Sequence, residues 1–221
     1  MRSYKKVYFI VDANQEIGYG HFKRCQLLSK EFEIQDVITE FWFHNSVASV
    51  VKSTNMYCVF ADKFELTNNL IRKFINPNSL IIIDTDDPFF YSLSFQNTLI
   101  NEDLHFMYVT IKNVPYKCHY LFNQNLMALE EDYKVEDYTT TFLGPQYFVL
   151  EDKLSNIKPI STNQSTKRNL LISFGSADPN NTTKKILDLM PEFESKFDTI
   201  KIVVGSLNKG FSQIKKHKSL V

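Results

Sequence analysis

Three cysteines, six glycines and one tryptophan are few for 221 residues, and the chain has no excess charge of either sign, with 25 basic and 25 acidic residues. Each shortage excludes a class of protein. Cys25, Cys58 and Cys118 are odd in number, far apart and without a Cys-x-x-Cys pair, which excludes a disulfide framework and a zinc knuckle and fits a reducing cytoplasm. A neutral chain carries no general electrostatic footprint for nucleic acid, so any cationic patch must be local. The apolar run behind Arg2, Lys5 and Lys6 is too short for a signal peptide, and the longest purely apolar run in mid-chain, Leu80 to Ile83, cannot span a bilayer. No group of His, Cys and Asp has ligand spacing, so no metal is expected.

What is present is core-forming material. Hydrophobic residues make up 43%, with 19 Phe and 11 Tyr spread through the chain, so a packed core is expected and disorder is not. The length allows one large domain, or one domain and part of another.

Apolar periodicity then divides the chain. Val7 to Val11 reads as a strand, Phe22 to Phe32 as a helix, and Asp36 to His44 as a second strand rich in Val, Ile, Phe and Trp. A short helix is expected over Ser46 to Ser53, and a strand over Tyr57 to Phe60. Leu66, Leu70, Ile71 and Phe74 follow a helical period that Asn76-Pro77-Asn78 stops. Leu80 to Ile83 is the continuous run of a parallel strand buried on both faces, and Asp84-Thr-Asp-Asp-Pro88 crowds carboxylates at its end. Those carboxylates read as a solvated strand-end turn, with a cation site at Asp84, Asp86 and Asp87 as the weaker alternative. Phe89 to Ile100 reads as a helix, Leu104 to Ile111 and His119 to Phe122 as strands. This alternation predicts an α/β fold with a Rossmann-like, doubly wound parallel sheet over residues 1–150. Residues 151–168 have the polar, aperiodic composition of a linker. Residues 169–221 begin a second α/β unit: a strand at Leu170 to Phe174, a turn Gly175-Ser-Ala-Asp178, a helix from Pro179 to about Met190 capped by Asp178, and a strand at Ile200 to Val204. A lysine-rich tail, Lys209 to Val221, follows. One such strand–helix–strand unit buries little, so it is expected to pack onto the first domain or to be completed by a partner chain or further domain.

The chemistry concentrates in Val11-Asp-Ala-Asn-Gln-Glu-Ile-Gly-Tyr-Gly-His-Phe-Lys-Arg24. A strand ends, a glycine-bearing turn follows and a helix begins, the corner at which open α/β sheets bind ligands. Gly18 and Gly20 allow backbone N–H groups to approach a ligand closely, and the helix start adds partial positive charge. His21 and Arg24, three apart, share one helical face. Lys23 replaces the third glycine of a dinucleotide fingerprint, and no Gly-Lys-Ser/Thr follows, which excludes both standard phosphate motifs. By composition alone, a helix-start histidine with an ordinary partner is an equal alternative for His21.

Four segments in order carry a family resemblance: Asp12 to His21 with Arg24, Tyr120-Leu-Phe-Asn-Gln-Asn125, Leu143-Gly-Pro-Gln-Tyr-Phe-Val-Leu150, and Leu171-Ile-Ser-Phe-Gly-Ser-Ala-Asp-Pro-Asn180. Together they resemble the UDP-sugar hydrolases of pseudaminic acid biosynthesis, the PseG family of bacterial surface-polysaccharide pathways. The resemblance implies a two-domain glycosyltransferase-B fold, similar to MurG, and a cytoplasmic enzyme that releases UDP from a UDP-linked di-N-acetylated amino sugar without a cofactor. It places the catalytic base on His21, with Gly18, Tyr19, Gly20, Arg24, Asn123 and Asn125 at the substrate and Ser173, Gly175 and Asp178 at the diphosphate. Arg24 has a second reading as a brace for the turn, Asn123 and Asn125 as an ordinary strand-to-helix turn, and Asp178 as a helix cap. The chain departs from the pattern at Asp84-Thr85-Asp86, where the family carries Asp-x-Tyr, and at Gly175-Ser176, where it carries paired glycines. It also stops before the later glycine- and glutamate-bearing segments of the nucleotide cleft. A glycosyltransferase of the same fold and an inactive nucleotide-sugar binding module are the alternatives.

Overall fold

The computed structural model describes residues 3–14, 16–44, 57–73, 78–110, 112–155, 157, 168–210, 212 and 214. The helix expected over Ser46 to Ser53, the stop at Asn76-Pro77, and most of the linker and of the lysine-rich tail lie outside them.

The chain runs through β1 (Lys6–Val11), α1 (Gly20–Glu33), β2 (Ile38–Phe43), β3 (Cys58–Phe60), α2 (Lys63–Lys73), β4 (Ser79–Asp84), α3 (Leu93–Asn101), β5 (His105–Val109), β6 (Pro115–Tyr116), β7 (Tyr120–Asn123), β8 (Lys134–Val135) and β9 (Thr140–Leu143), then α4 (Asp152–Ser155). Among the described residues, seven strands form one sheet in the order β3-β2-β1-β4-β5-β7-β9. Every pairing in it is parallel. The result is a mixed α/β fold with a large Rossmann-like parallel sheet. Strand order reverses between β1 and β4, whose register sets Val11 beside Asp84. That is the switch point at which such sheets bind ligands.

Burial on both faces explains why β1 and β4 read as unbroken apolar runs: all six residues of β4 are buried, as are the last five of β1. On one face Phe9 stacks on Phe41 at 4.7 Å, and Phe22 of α1 meets Phe41 and Phe43 edge-on at 5.7 and 5.3 Å. On the other face Tyr8, Ile10, Ile81, Ile83, Phe106 and Tyr108 pack with Leu66 of α2 and with Phe95 and Leu99 of α3. Deleting any of these large side chains removes its burial and leaves a cavity, at a cost of about 3–5 kcal/mol for Phe→Ala.

The structure departs from the sequence reading at identifiable points. The helix expected over Phe89 to Ile100 is two elements, a 3₁₀ turn at Pro88–Tyr91 and then α3. Ser92 separates them: its backbone is extended (φ −64°, ψ 142°) and its Oγ accepts from Phe95 N at 3.2 Å, capping α3. β9 (Thr140–Leu143) forms where no strand was expected. It is short and half-exposed at the sheet edge, so it lacks the apolar signature of the central strands.

The chain divides into two compact units, one of residues 1–14 and 21–155 and one of residues 15–20 and 156–221. In the second, β10 (Asn169–Ser173) pairs in parallel with β11 (Thr199–Val203) and α5 (Thr182–Leu189) lies between them in sequence. Ile172, Leu187, Met190 and Ile214 form its core. The helix begins at Thr182 rather than at Pro179. Asn181 adopts a left-handed conformation (φ 50°) that no helix can include, and Pro179 sits in the turn before it. Among the described residues no helix is long and apolar enough to cross a membrane.

Candidate active site

The last residue of β4 organises the site of the first unit. Asp84 is fully buried, and its carboxylate accepts from His21 Nδ1 at 2.5 Å, from Arg24 Nε at 2.8 Å and from an Arg24 terminal nitrogen at 2.7 Å. His21 is the second residue of α1 and Arg24 stands one turn on, so the helix delivers both to one carboxylate. This corrects the reading of Asp84 as part of a solvated turn: the register of β1 with β4 carries it under the start of α1. Cys25 Sγ, also buried, lies 3.5 Å from the same carboxylate.

The electrostatics follow from the pairing. Burial opposes ionisation of Asp84, and hydrogen bonds from His21 and Arg24 outweigh it, holding its pKa below the usual carboxylate range. For His21, burial pulls the pKa down, while the hydrogen bond to Asp84 and the charges of Asp84 and Asp86 outweigh burial and Arg24, so the net shift is upward. A carboxylate on Nδ1 has one further consequence. Asp84 can only accept, so Nδ1 carries the proton and Nε2 of the neutral ring holds the basic lone pair.

Nε2 lies 3.6 Å from Asp86 Oδ2. Asp86 is the exposed carboxylate of the strand-end turn, 58% accessible where Asp84 is 0%. Lys112 Nζ donates to Asp86 O at 2.7 Å, lies 3.7 Å from Asp86 Oδ1, and sits over the Tyr91 ring at 4.3 Å. These groups line a cavity of about 310 Å³ together with Arg24, Thr85, Thr110, Asn123 and Asn125. Asp86 and Lys112 lie on the cavity wall, while Asp84 lies buried behind it and pairs with Arg24, so two carboxylates and two cations surround the imidazole. Among the described residues no group of His, Cys, Asp and Glu has the geometry of a metal site.

The other sequence-derived candidates fall into three places. Arg24 lines the cavity with its fork spent on Asp84. Asn123 ends β7, buried, donating Nδ2 to Tyr133 OH at 2.5 Å and accepting from Asn125 N at 3.0 Å, so it braces its own turn; Asn125 is exposed on the cavity rim. Gly18 and Tyr19 belong to the second unit. Tyr19 N donates to Ser176 Oγ at 3.3 Å, and Gly18 (φ +86°) holds a left-handed backbone that favours glycine, with its Cβ position 2.5 Å from that oxygen. Gly20 opens α1 with no atom within 4 Å of the Cβ position. Ser173 and Gly175 are exposed at the end of β10. Asp178 spends its carboxylate on the helix start, accepting from Thr182 N at 2.8 Å, Thr183 N at 2.9 Å and Asn208 Nδ2 at 3.1 Å. Those two N–H groups of α5 are therefore occupied, and an anion would have to bind elsewhere on the turn.

Sequence reading passed over Asp12, His44, Thr110 and Lys112 and undervalued Asp84. Only the two aspartates carried a local signal, because each follows or ends an otherwise apolar strand. A charge so placed is buried unless the turn carries it outward, and a buried carboxylate demands a partner.

Fold and site together define a Rossmann-like α/β protein with a histidine–aspartate pair at the switch point of its sheet. No family model matches the chain. It is 26% identical over 226 residues to the uncharacterized protein MJ1062 of Methanocaldococcus jannaschii, an alignment covering 90% of this chain and 42% of that protein. The chain thus spans less than half the length of that relative.

Proposed function

We propose that the protein is a nucleotide-sugar hydrolase of the pseudaminic-acid type, with the glycosyltransferase-B class of fold, releasing UDP from a UDP-linked amino sugar. The observation that carries this reading is the Asp84–His21 pair, with Nδ1 tied down at 2.5 Å and the basic nitrogen left to a cavity large enough for a sugar ring. The order of motifs around Gly18-Tyr-Gly-His21 supports the substrate class.

In this reading Nε2 of His21 takes a proton from water as the water oxygen bonds to the anomeric carbon. The bond from that carbon to the phosphate oxygen breaks, and UDP leaves with the electron pair. Asp84 fixes the ring and stabilises the imidazolium that forms, as the aspartate of a catalytic triad does. Arg24 holds Asp84 ionised and does not need to touch substrate.

The test is UDP release from UDP-N-acetylglucosamine and other UDP-amino sugars with no acceptor present. Hydrolysis is expected from the wild type and its collapse by about 10²–10⁴-fold in His21→Ala. Release that depends on an added sugar or lipid acceptor identifies a transferase instead. Ligand binding without product in the wild type identifies a binding module.

A further inference from the structure

A second histidine–aspartate pair lies on the far side of the same strand-end turn, and the reaction above does not use it. Asp12 follows β1 and His44 follows β2; both are nearly inaccessible, at 1% and 3%. His44 Nδ1 is 2.8 Å from Asp12 Oδ1, and its Nε2 is 3.5 Å from Asp87 Oδ2, which Lys63 Nζ also approaches at 3.2 Å. The ring packs edge-on to Phe90 at 4.6 Å. Burying a carboxylate this completely is costly unless it is satisfied, so the pair needs a structural or functional return.

The other oxygen of Asp12 shows what is gripped. Asp12 Oδ2 accepts from Thr85 Oγ1 and, at 3.3 Å, from Asp86 N. Thr85 Oγ1 in turn accepts from Asp87 N at 3.0 Å, and Tyr91 OH donates to Thr85 O at 2.8 Å. Residues 85–87 are neither helix nor strand, so these side-chain bonds stand in for a backbone ladder. Asp86, between them, has its N–H held by Asp12 and its carbonyl held by Lys112. Its side chain is left free of the turn and reaches the Nε2 side of His21 at 3.6 Å. That separation is too long for a direct hydrogen bond, and leaves both groups within reach of one water seated to their cavity side.

We propose that Asp86 is a second catalytic carboxylate, orienting the attacking water beside His21 Nε2, and that the buried His44–Asp12 pair is the positioning device that holds it there. This rests on the hydrolase reading. The water gives one proton to Nε2 of His21 and directs its other O–H to Asp86, which accepts a hydrogen bond and takes no proton. The lone pair on the water oxygen is thereby aimed at the anomeric carbon. His21, whose ring nitrogens face Asp84 and Asp86 with Arg24 behind, works between two carboxylates of different duty: one buried and fixing, one exposed and orienting.

The experiment uses the full chain in two readouts. The first is UDP release from whichever UDP-amino sugar the wild type hydrolyses, starting with UDP-N-acetylglucosamine. Asp86→Asn is expected to lower kcat by about 10²-fold with KM unchanged, and His44→Gln to lower it by roughly 10-fold, because a displaced rather than a deleted group is lost. The second is the titration of the His21 imidazole followed by NMR. Asp86→Asn moves its midpoint down, and His44→Gln moves it part of the way in the same direction. Thr85→Val, which cuts the link from Asp12 to the turn while keeping side-chain shape, does the same and guards against a His44 variant that fails to fold. A raised KM with kcat intact for Asp86→Asn would place Asp86 on the sugar and overturn the water role. An unmoved His21 midpoint in folded His44→Gln and Thr85→Val overturns the positioning role. If the wild type releases no UDP from any probe, the hydrolase reading and the catalytic role of Asp86 fall together, while the midpoints still decide whether His44 and Asp12 place Asp86 against His21.

Discussion

Asp84 Oδ1 accepts from both His21 Nδ1, at 2.5 Å, and an Arg24 terminal nitrogen, at 2.7 Å, so one buried atom joins the proposed base to a permanent cation. Arg24 keeps that atom anionic, and the anion keeps the ring in the tautomer whose free nitrogen points away from it. Removing the carboxylate therefore damages stability and chemistry at once. Asp84→Ala leaves a largely buried guanidinium without its partner and is expected to cost about 3–5 kcal/mol in chemical denaturation. Asp84→Asn keeps the volume and costs less, but its amide can donate to Nδ1 and turn the lone pair inward. Turnover should then fall by about 10²–10⁴-fold in protein that still unfolds cooperatively. Asp84→Asn with near-normal turnover would sink the assignment of His21 as base.

The pH dependence of activity and of stability should run in opposite directions across the titration of His21. As the proposed base, His21 works neutral, so kcat/KM is expected to rise with pH through an apparent pKa above the ordinary histidine value of 6.5. A raised folded-state pKa means that folded protein binds the proton more tightly than unfolded protein. That stabilisation is complete below the ordinary value and is lost as pH rises through the raised one. At the acid end Asp84 acts the other way: its lowered pKa stabilises above the ordinary carboxylate value of 3.8, and the stabilisation disappears as pH falls through the lowered one. A pH series of urea midpoints, paired with a pH–rate profile, checks both arms. In Asp84→Asn the alkaline loss of stability should vanish and the activity midpoint should move to lower pH.

In the second unit the turn over residues 175–181 limits how much room Gly205 and Gly210 have. A Cβ on Gly205 would lie 2.3 Å from Ser176 Cα and O, against main chain that cannot swing aside. A Cβ on Gly210 would meet the side-chain end of Asn181 at 2.7 Å, which can rotate. Gly205→Ala is expected to destabilise by about 1–3 kcal/mol and Gly210→Ala by clearly less. Hydrogen exchange of the β10 and β11 amides reads the difference directly. Equal protection in the two variants would contradict the packing of residue 205 on residue 176.

Sequence alone determined the alternation of strands and helices, and for a local reason. A strand buried on both faces must be apolar throughout, and a helix on a sheet must be apolar at every third or fourth residue. Leu80 to Ile83 and Phe22 to Phe32 therefore announce themselves without neighbours. The glycine turn before His21 was legible in the same way. Where local signals compete, boundaries moved: Ser92 broke a helix that hydrophobic spacing alone would have continued, and a left-handed Asn181 delayed α5 past Pro179. What only the tertiary structure decided is who partners whom. His21 and Asp84 are 63 residues apart, and Asp12 and Thr85 are 73 apart. Their meetings depend on β1 and β4 lying side by side in one register, which is a property of strand order and not of either segment. A carboxylate at a strand end is solvated or buried according to what the neighbouring strand and helix bring to it. So the character of Asp84, Asp86 and Asp87, adjacent and alike in sequence, was settled by topology: one fixes an imidazole, one faces a cavity and one anchors the turn.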